Sequence, residues 1–207
     1  MMAKKTAPGD PRAWQRMLSG RRLDLIDPSP LDVEIDDIAH GLARVARWNG
    51  QTTGAHAFSV AQHTLIVDEI AAKVAPEIGA RGRLAVMLHD APEYVIGDLI
   101  SPFKVLLGGE YRAVEGRLLA AIHVRFGLPP VLPPKLTAAV KTADRIAAYH
   151  EAVRLAGFGD AEAVRFFGRP SGVDGSKLDL DPWPAPTAEK RFLKRFTEIE
   201  KAVAREA

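Results

Sequence analysis

The sequence predicts an all-α fold. Apolar residues recur at helical spacing: Phe192, Phe196, Ile199 and Val203 fall at i, i+4, i+7 and i+11, and Val114, Leu118, Ile122 and Phe126 repeat every four residues. No run alternates convincingly with period two, the signature of a half-buried strand. Gly108-Gly109 and Gly127-Leu-Pro-Pro130 punctuate the periodic segments where helices should stop.

At 207 residues the chain is long enough for one domain with a substantial core. Hydrophobic residues make up 47% and charged residues 26%, ordinary values for a globular chain. The 28 basic and 26 acidic residues leave a net charge of +2, which gives no electrostatic basis for binding nucleic acid or a membrane surface. With no cysteine, disulfides and thiolate metal sites are excluded, and His and carboxylates are the strong ligands that remain. No segment approaches the roughly 18–20 apolar residues of a membrane span, and the N-terminus lacks the apolar run of a secretion signal. A cytoplasmic protein is expected.

Residues 1–13 are polar with two prolines and read as a mobile tail, followed by a short helix around Trp14–Leu18. Gly20 to Pro30 reads as a loop or extended arm, so residues 1–35 form a tail and arm. Asp36-Asp37 are expected to cap a helix reaching Trp48, with Ile38, Leu42, Val45 and Ala46 inward. Arg44, Arg47 and Trp48 then fall near its C-terminal end, and a polar loop containing His56 follows Asn49-Gly50. A second helix is expected from Ala57 to Val74, with Val60, Val67, Ile70 and Ala71 on one face. His63, three residues after Val60 and four before Val67, shares that face. Residues 80–90 form a core helix. Further helices are expected over 110–126, with His123 solvated off the apolar line, and from Pro134 to Leu155, with Asp144 at the edge of the inward stripe. Segment 156–186 is rich in Gly and Pro, with one short helix at Asp160–Phe167, and packs over a site or at an interface. A last helix spans about 187–205.

The chain centres on Leu84-Ala-Val-Met-Leu-His-Asp-Ala-Pro-Glu-Tyr-Val-Ile-Gly-Asp98, followed by Ser101 and Lys104. An apolar run without a polar face reads as the buried end of a core helix, and it delivers His89 and Asp90 where the chain leaves the core. Buried polar groups need partners, and a divalent metal satisfies an imidazole and a carboxylate together. Asp90-Ala-Pro-Glu93 alone reads equally as a helix N-cap with a capping-box-like Glu. Asp144 alone reads equally as an exposed partner of Lys141 or Arg145.

In chain order, the inward polar residues are His63, His89-Asp90 and Asp144, from three helices, with the histidines 26 positions apart and the aspartates 54 apart. This set resembles the metal-binding H…HD…D pattern of the HD-domain phosphohydrolases. The run His89–Asp98 with Pro102 and Lys104, and Arg47-Trp48 about fifteen residues before His63, is similar to the bacterial 5'-deoxynucleotidase branch. The resemblance covers roughly residues 36–155 and implies an HD-domain helical bundle with the metal site between core helices. Residues 156–207 would pack on that core. It also implies a single divalent ion (Co²⁺, Mn²⁺, Zn²⁺, Fe²⁺ or Mg²⁺) on His63, His89, Asp90 and Asp144.

The same resemblance makes Glu93 and Asp98 catalytic carboxylates, Arg47 a phosphate contact, Trp48 a nucleoside contact and Lys104 a second cation at the substrate. It implies a homodimer through the last helix or the helix over 110–126. Gln62 stands before His63 where that branch carries an acidic residue, and the loop from Asn49 to Gln62 differs in composition; both changes fall near the expected sugar and base. A second metal would need histidines downstream. His123 is off the apolar face, and His150, six residues past Asp144, is turned about 120° from it. Cyclic-dinucleotide phosphodiesterases carry Gly-Lys after the dyad and alarmone hydrolases a Glu-Asp pair; Ala91-Pro92-Glu93-Tyr94 has neither. The expected function is hydrolysis of (deoxy)nucleoside 5'-monophosphates to nucleoside and phosphate by metal-activated water. The alternatives are a nucleotide pyrophosphohydrolase, acting on a di- or triphosphate or an alarmone, and a non-catalytic nucleotide sensor.

Overall fold

The computed structural model describes residues 12–206, and most of them are helical. The expected tail lies outside these residues up to position 11. The first element is not a helix but a hairpin: β1 (Trp14–Arg16) pairs antiparallel with β2 (Arg22–Asp24). The guanidinium groups of Arg12, Arg16 and Arg22 lie 5.1, 5.4 and 4.6 Å from the centroid of the Trp14 ring, which favours the paired strands over an isolated helical turn. Ser19 in the hairpin turn donates from its backbone N and its Oγ to Asp37 at 3.0 and 2.5 Å. Leu23 and Val33 enter the main core, and Met17 and Leu25 pack against it.

Helix α1 (Ile35–Leu42) is shorter than the sequence predicts, and Glu34, not an aspartate, stands at its N-cap. Asp37 is engaged by Ser19 instead. Beyond Leu42 the chain turns back so that Ala46 pairs with Ser59 and Arg47 N donates to Phe58 O at 2.8 Å; this tertiary pairing ends the helix. Arg47–Gly50 forms a 3-10 turn in which Trp48 (φ 58°) and Asn49 (φ 51°) are both left-handed. Such a conformation costs a non-glycine residue roughly 1–2 kcal/mol.

Helix α2 (Val60–Val74) starts at Ser59, whose Oγ accepts from Gln62 N at 3.2 Å. Helix α3 (Gly79–Met87) ends before the dyad, and α4 (Glu93–Ile96) is one turn that Gly97 closes at φ 76°. Helix α5 (Ser101–Leu107) is an addition to the sequence expectation; α6 (Gly109–Arg125), α7 (Pro134–Arg154), α8 (Asp160–Phe167) and α9 (Ala185–Glu206) fall close to it. His123 on α6 is buried, correcting its expected exposure: Leu128 N returns to His123 O at 2.8 Å and the 127–130 loop covers the ring.

One core cluster is built on α1, α3, α6 and α9, and a second joins α2 to α7 through Val67, Ile70, Val140, Ala143 and Ala147. Small residues on α7 let the two helices approach closely. Asp68 on α2 binds Arg83 on α3 at 2.5 Å and Arg195 on α9 at 2.7 Å, tying three helices together. No helix among the described residues is long and apolar enough to cross a membrane.

Gly41 permits the contact between α1 and α4. A Cβ there would lie 2.7 Å from Tyr94 Cβ and 2.9 Å from Tyr94 O. Glycine to alanine inside a helix ordinarily stabilises by about 1 kcal/mol. Here the overlap reverses the sign, and Gly41→Ala is expected to destabilise by about 1–3 kcal/mol in urea unfolding.

Candidate metal centre

Three elements bring the expected ligands together. His63 is wholly buried on α2, His89 and Asp90 occupy the turn after α3, and Asp144 lies on α7. One ligand atom from each lies within 4.8 Å of the others. Asp90 caps no helix, since α4 receives no side-chain cap, and Asp144 pairs with His63 rather than with Lys141 or Arg145.

The imidazole orientations follow from their Nδ1 partners. His63 Nδ1 donates to Glu151 Oε1 at 2.5 Å, and His89 Nδ1 donates to Val86 O at 2.7 Å. A carbonyl or an ionised carboxylate can only accept, so each Nδ1 keeps its proton and Nε2 is the nitrogen that can give up a proton to ligate. His63 Nε2 is 3.2 Å from Asp144 Oδ1 and 3.5 Å from Asp90 Oδ2; His89 Nε2 is 3.2 Å from Asp90 Oδ2. Both Nε2 atoms are buried without a hydrogen bond. Buried polar atoms left open while facing carboxylates form a donor set that fits a divalent cation.

Electrostatics agree with that fit. Burial and Arg47 pull the His63 proton affinity down, but Glu151, Asp144 and Asp90 outweigh them and hold it well above the usual histidine range. Burial likewise lowers His89, and Asp90 more than compensates. A cluster that draws protons this strongly carries an excess of negative charge that a cation can neutralise.

A cavity of about 660 Å³ opens beside the cluster. Arg47, Trp48, Glu93, Asp98 and Lys104 all line it, as do Asp90 and Asp144, so every site residue expected from the sequence except the buried histidines reaches this space. Arg47 Nη1 donates to Asp98 Oδ2 at 3.1 Å and lies 3.9 Å from Asp90 Oδ2. Lys104 is paired rather than free, 3.1 Å from Glu115 Oε1 and 3.6 Å from Glu93 Oε1. Burial, with Asp90 and Asp98 nearby, pushes the Glu93 carboxyl up to about 9, so it holds a proton at neutral pH. Its Oε2 is buried without a partner.

Two features were missed in the sequence. Glu151 is fully buried and lowered to about 2: burial opposes ionisation, but His63 and Arg47 override it. Its signal was an offset of seven from Asp144, two turns along the same face of α7. The other feature is an aromatic wall. Trp48 lies 5.6 Å from Phe158 and 5.8 Å from Phe167, ring centroid to centroid, and Phe166 also lines the cavity. These phenylalanines come from the 156–186 segment, which packs over the site. Gln62 does not face the cavity: its Nε2 donates to Asp179 O and Asp181 O, and its Oε1 accepts from Trp183 N, anchoring that segment. Neither His123 nor His150 joins the metal cluster.

Titration of the apo protein with Co²⁺ is expected to bind one ion per chain and to release protons. At free metal one hundred times Kd, unfolding should stabilise by about 2.7 kcal/mol. Asp144→Ala should abolish most of that increment, and calorimetry with thermal unfolding checks both outcomes.

No family model matches the chain. It is 29% identical to the uncharacterized protein YfdR of Escherichia coli K12 over 169 residues, 81% of this chain and 85% of that protein. It is 56% identical to the uncharacterized protein RCAP_rcc00048 of Rhodobacter capsulatus over 184 residues, 89% of this chain and 94% of that protein. With sequence similarity running over nearly the full length of both chains, this protein belongs to the family of the Rhodobacter capsulatus protein.

Proposed function

We propose that the protein is an HD-type, metal-dependent phosphohydrolase that cleaves nucleoside or deoxynucleoside 5'-monophosphates to nucleoside and phosphate. The observation that carries this reading is the convergence of His63, His89, Asp90 and Asp144 beside a cavity lined by Arg47 and Glu93. The H…HD…D resemblance supports it.

His63, His89, Asp90 and Asp144 would hold one divalent ion. The chemistry that such an ion supplies is Lewis acidity, which activates water and draws charge from phosphoryl oxygens. Arg47 binds the phosphoryl group, with Asp98 fixing the guanidinium from behind. Glu93 holds the proton that the leaving ester oxygen needs as the new P–O bond to water forms and the ester P–O bond breaks. The proton lost by water restores Glu93.

The aromatic wall supports a nucleoside as the leaving group, because Trp48, Phe158 and Phe167 offer ring faces and edges to a planar base. Charge supports a monophosphate. Arg47 and Lys104 already have carboxylate partners, which leaves Arg145 as the lining cation without an ion pair among the described residues, little positive charge for a polyphosphate.

Metal-dependent release of orthophosphate from a panel of nucleoside 5'-monophosphates tests the reading; release of pyrophosphate, or binding without turnover, overturns it. Glu93→Gln is expected to lower kcat by about 10²–10⁴ while leaving metal affinity within a few-fold. The sign of its pH effect follows from a raised carboxyl: the proton is present below about 9 and is lost above it. Activity should therefore fall on the alkaline side with an apparent pKa at or below that value, since a neighbouring cation lowers it further. The residual rate of Glu93→Gln should lack that limb. Phe167→Ala should raise KM for 5'-monophosphates about 10-fold, with a smaller effect on kcat.

A further inference from the structure

Glu151 is a fully buried carboxylate that the proposed reaction does not use. Its Oε1 accepts from His63 Nδ1 at 2.5 Å, and its Oε2 accepts from Trp48 Nε1 at 2.9 Å and lies 3.5 Å from Arg47 Nε. One side chain thus touches the metal cluster and the aromatic wall at once. We propose that Glu151 is a positioning residue that couples occupancy of the metal cluster to the setting of Trp48 in the cavity wall. The inference rests on the proposed metal site but not on the proposed reaction.

The backbone at Trp48 supplies the second observation. Trp48 and Asn49 are both left-handed, a conformation that a bulky side chain avoids unless its surroundings impose it. The bond that Trp48 Nε1 donates to Glu151 holds the indole in that arrangement. Because the same carboxylate sets the His63 tautomer and ring plane, it cannot turn toward one donor without loosening the other. A cation that fixes His63 therefore fixes Oε1, and through the rigid carboxylate it fixes the acceptor that Trp48 needs. By linkage, a correctly set indole must favour the cation by the same factor. The bland alternative is that Glu151 only balances the charge of Arg47 and His63.

The probe is Zn²⁺ alone, followed by calorimetry and by the indole N–H signals of the three tryptophans in ¹⁵N-labelled protein. Trp48→Phe assigns the Trp48 signal. Zn²⁺ is expected to shift that signal and leave Trp14 and Trp183 in place. Glu151→Gln, whose amide can accept from one donor but not from both, should weaken Zn²⁺ binding 10–100-fold and remove the Trp48 response. Trp48→Phe should weaken Zn²⁺ two- to ten-fold, through the coupling alone.

Glu151→Asp separates positioning from charge. It keeps the charge but is one methylene short of spanning both donors, so it should behave like Glu151→Gln. Full recovery of Zn²⁺ affinity and of the Trp48 shift in Glu151→Asp would overturn the proposal. So would a Glu151→Gln affinity within two-fold of wild type, or a Trp48 signal unmoved at saturating Zn²⁺. An unfolded Glu151→Gln leaves Trp48→Phe and the wild-type shift to decide. Nucleotide turnover is not read in these titrations, so failure of the coupling and failure of the phosphohydrolase reading are distinguishable; a wild-type chain that binds no Zn²⁺ overturns the coupling proposal and leaves the phosphohydrolase reading to the phosphate-release panel.

Discussion

A wholly buried imidazole is costly unless both nitrogens are satisfied, and the folding of this protein around its site follows from how His63 is accommodated. Its Nδ1 faces Glu151 and its Nε2 faces Asp144 and Asp90, so its two nitrogens address two positions of α7 and the turn after α3. Removing any of these acids would leave a buried group without its counterpart, which is more damaging than never having placed the pair. The tight packing of α2 on α7 through Ala143 and Ala147 brings these groups within reach. The polar cluster and the apolar cluster therefore specify the same helix pairing.

The segment after residue 155 completes that arrangement. Gln62, one residue before His63, uses its whole amide to grip the backbone of residues 179–183, while α8 delivers its phenylalanines to the cavity. Leu178 and Leu180 are buried in the α2–α7 cluster, so the strap is anchored by apolar contacts as well. The neutral amide at position 62 suits this anchoring role, because a carboxylate could not donate to two carbonyl oxygens. Its departure from the resemblance thus acts on how the covering segment is held rather than on direct contact within the cavity.

What the sequence made legible was what local periodicity controls. The faces of α2 and α7 placed His63 and Asp144 inward, and an apolar run ending at Leu88 placed His89 and Asp90 at the core boundary. Errors arose where distant segments decide. Nothing between Gly41 and Trp48 breaks a helix locally; the pairing of Ala46 with Ser59 does. His123 looked solvated on its own helix, but the 127–130 loop returns over it. The hairpin at Trp14 depends on arginines from both strands. Glu151 was within reach of a face argument, whereas the contact of Trp48 with Phe158 and Phe167 joins residues more than a hundred positions apart.

The charge balance of the cavity links these features. Four carboxyl groups line it, from Asp90, Glu93, Asp98 and Asp144, facing Arg47, Lys104 and Arg145. Arg47 is engaged by Asp98 and Lys104 by Glu115, and Arg145 has no ion-pair partner among the described residues. Burial relieves one negative charge by keeping Glu93 protonated. Two of the other three lining acids, Asp90 and Asp144, sit in the metal cluster with the two open Nε2 atoms. In the proposed function, a cation held by Asp90 and Asp144 would neutralise these two acids and leave the cavity more favourable to an anion. On that proposal the donor set of His63, His89, Asp90 and Asp144 would govern recognition of the anion as well as the chemistry.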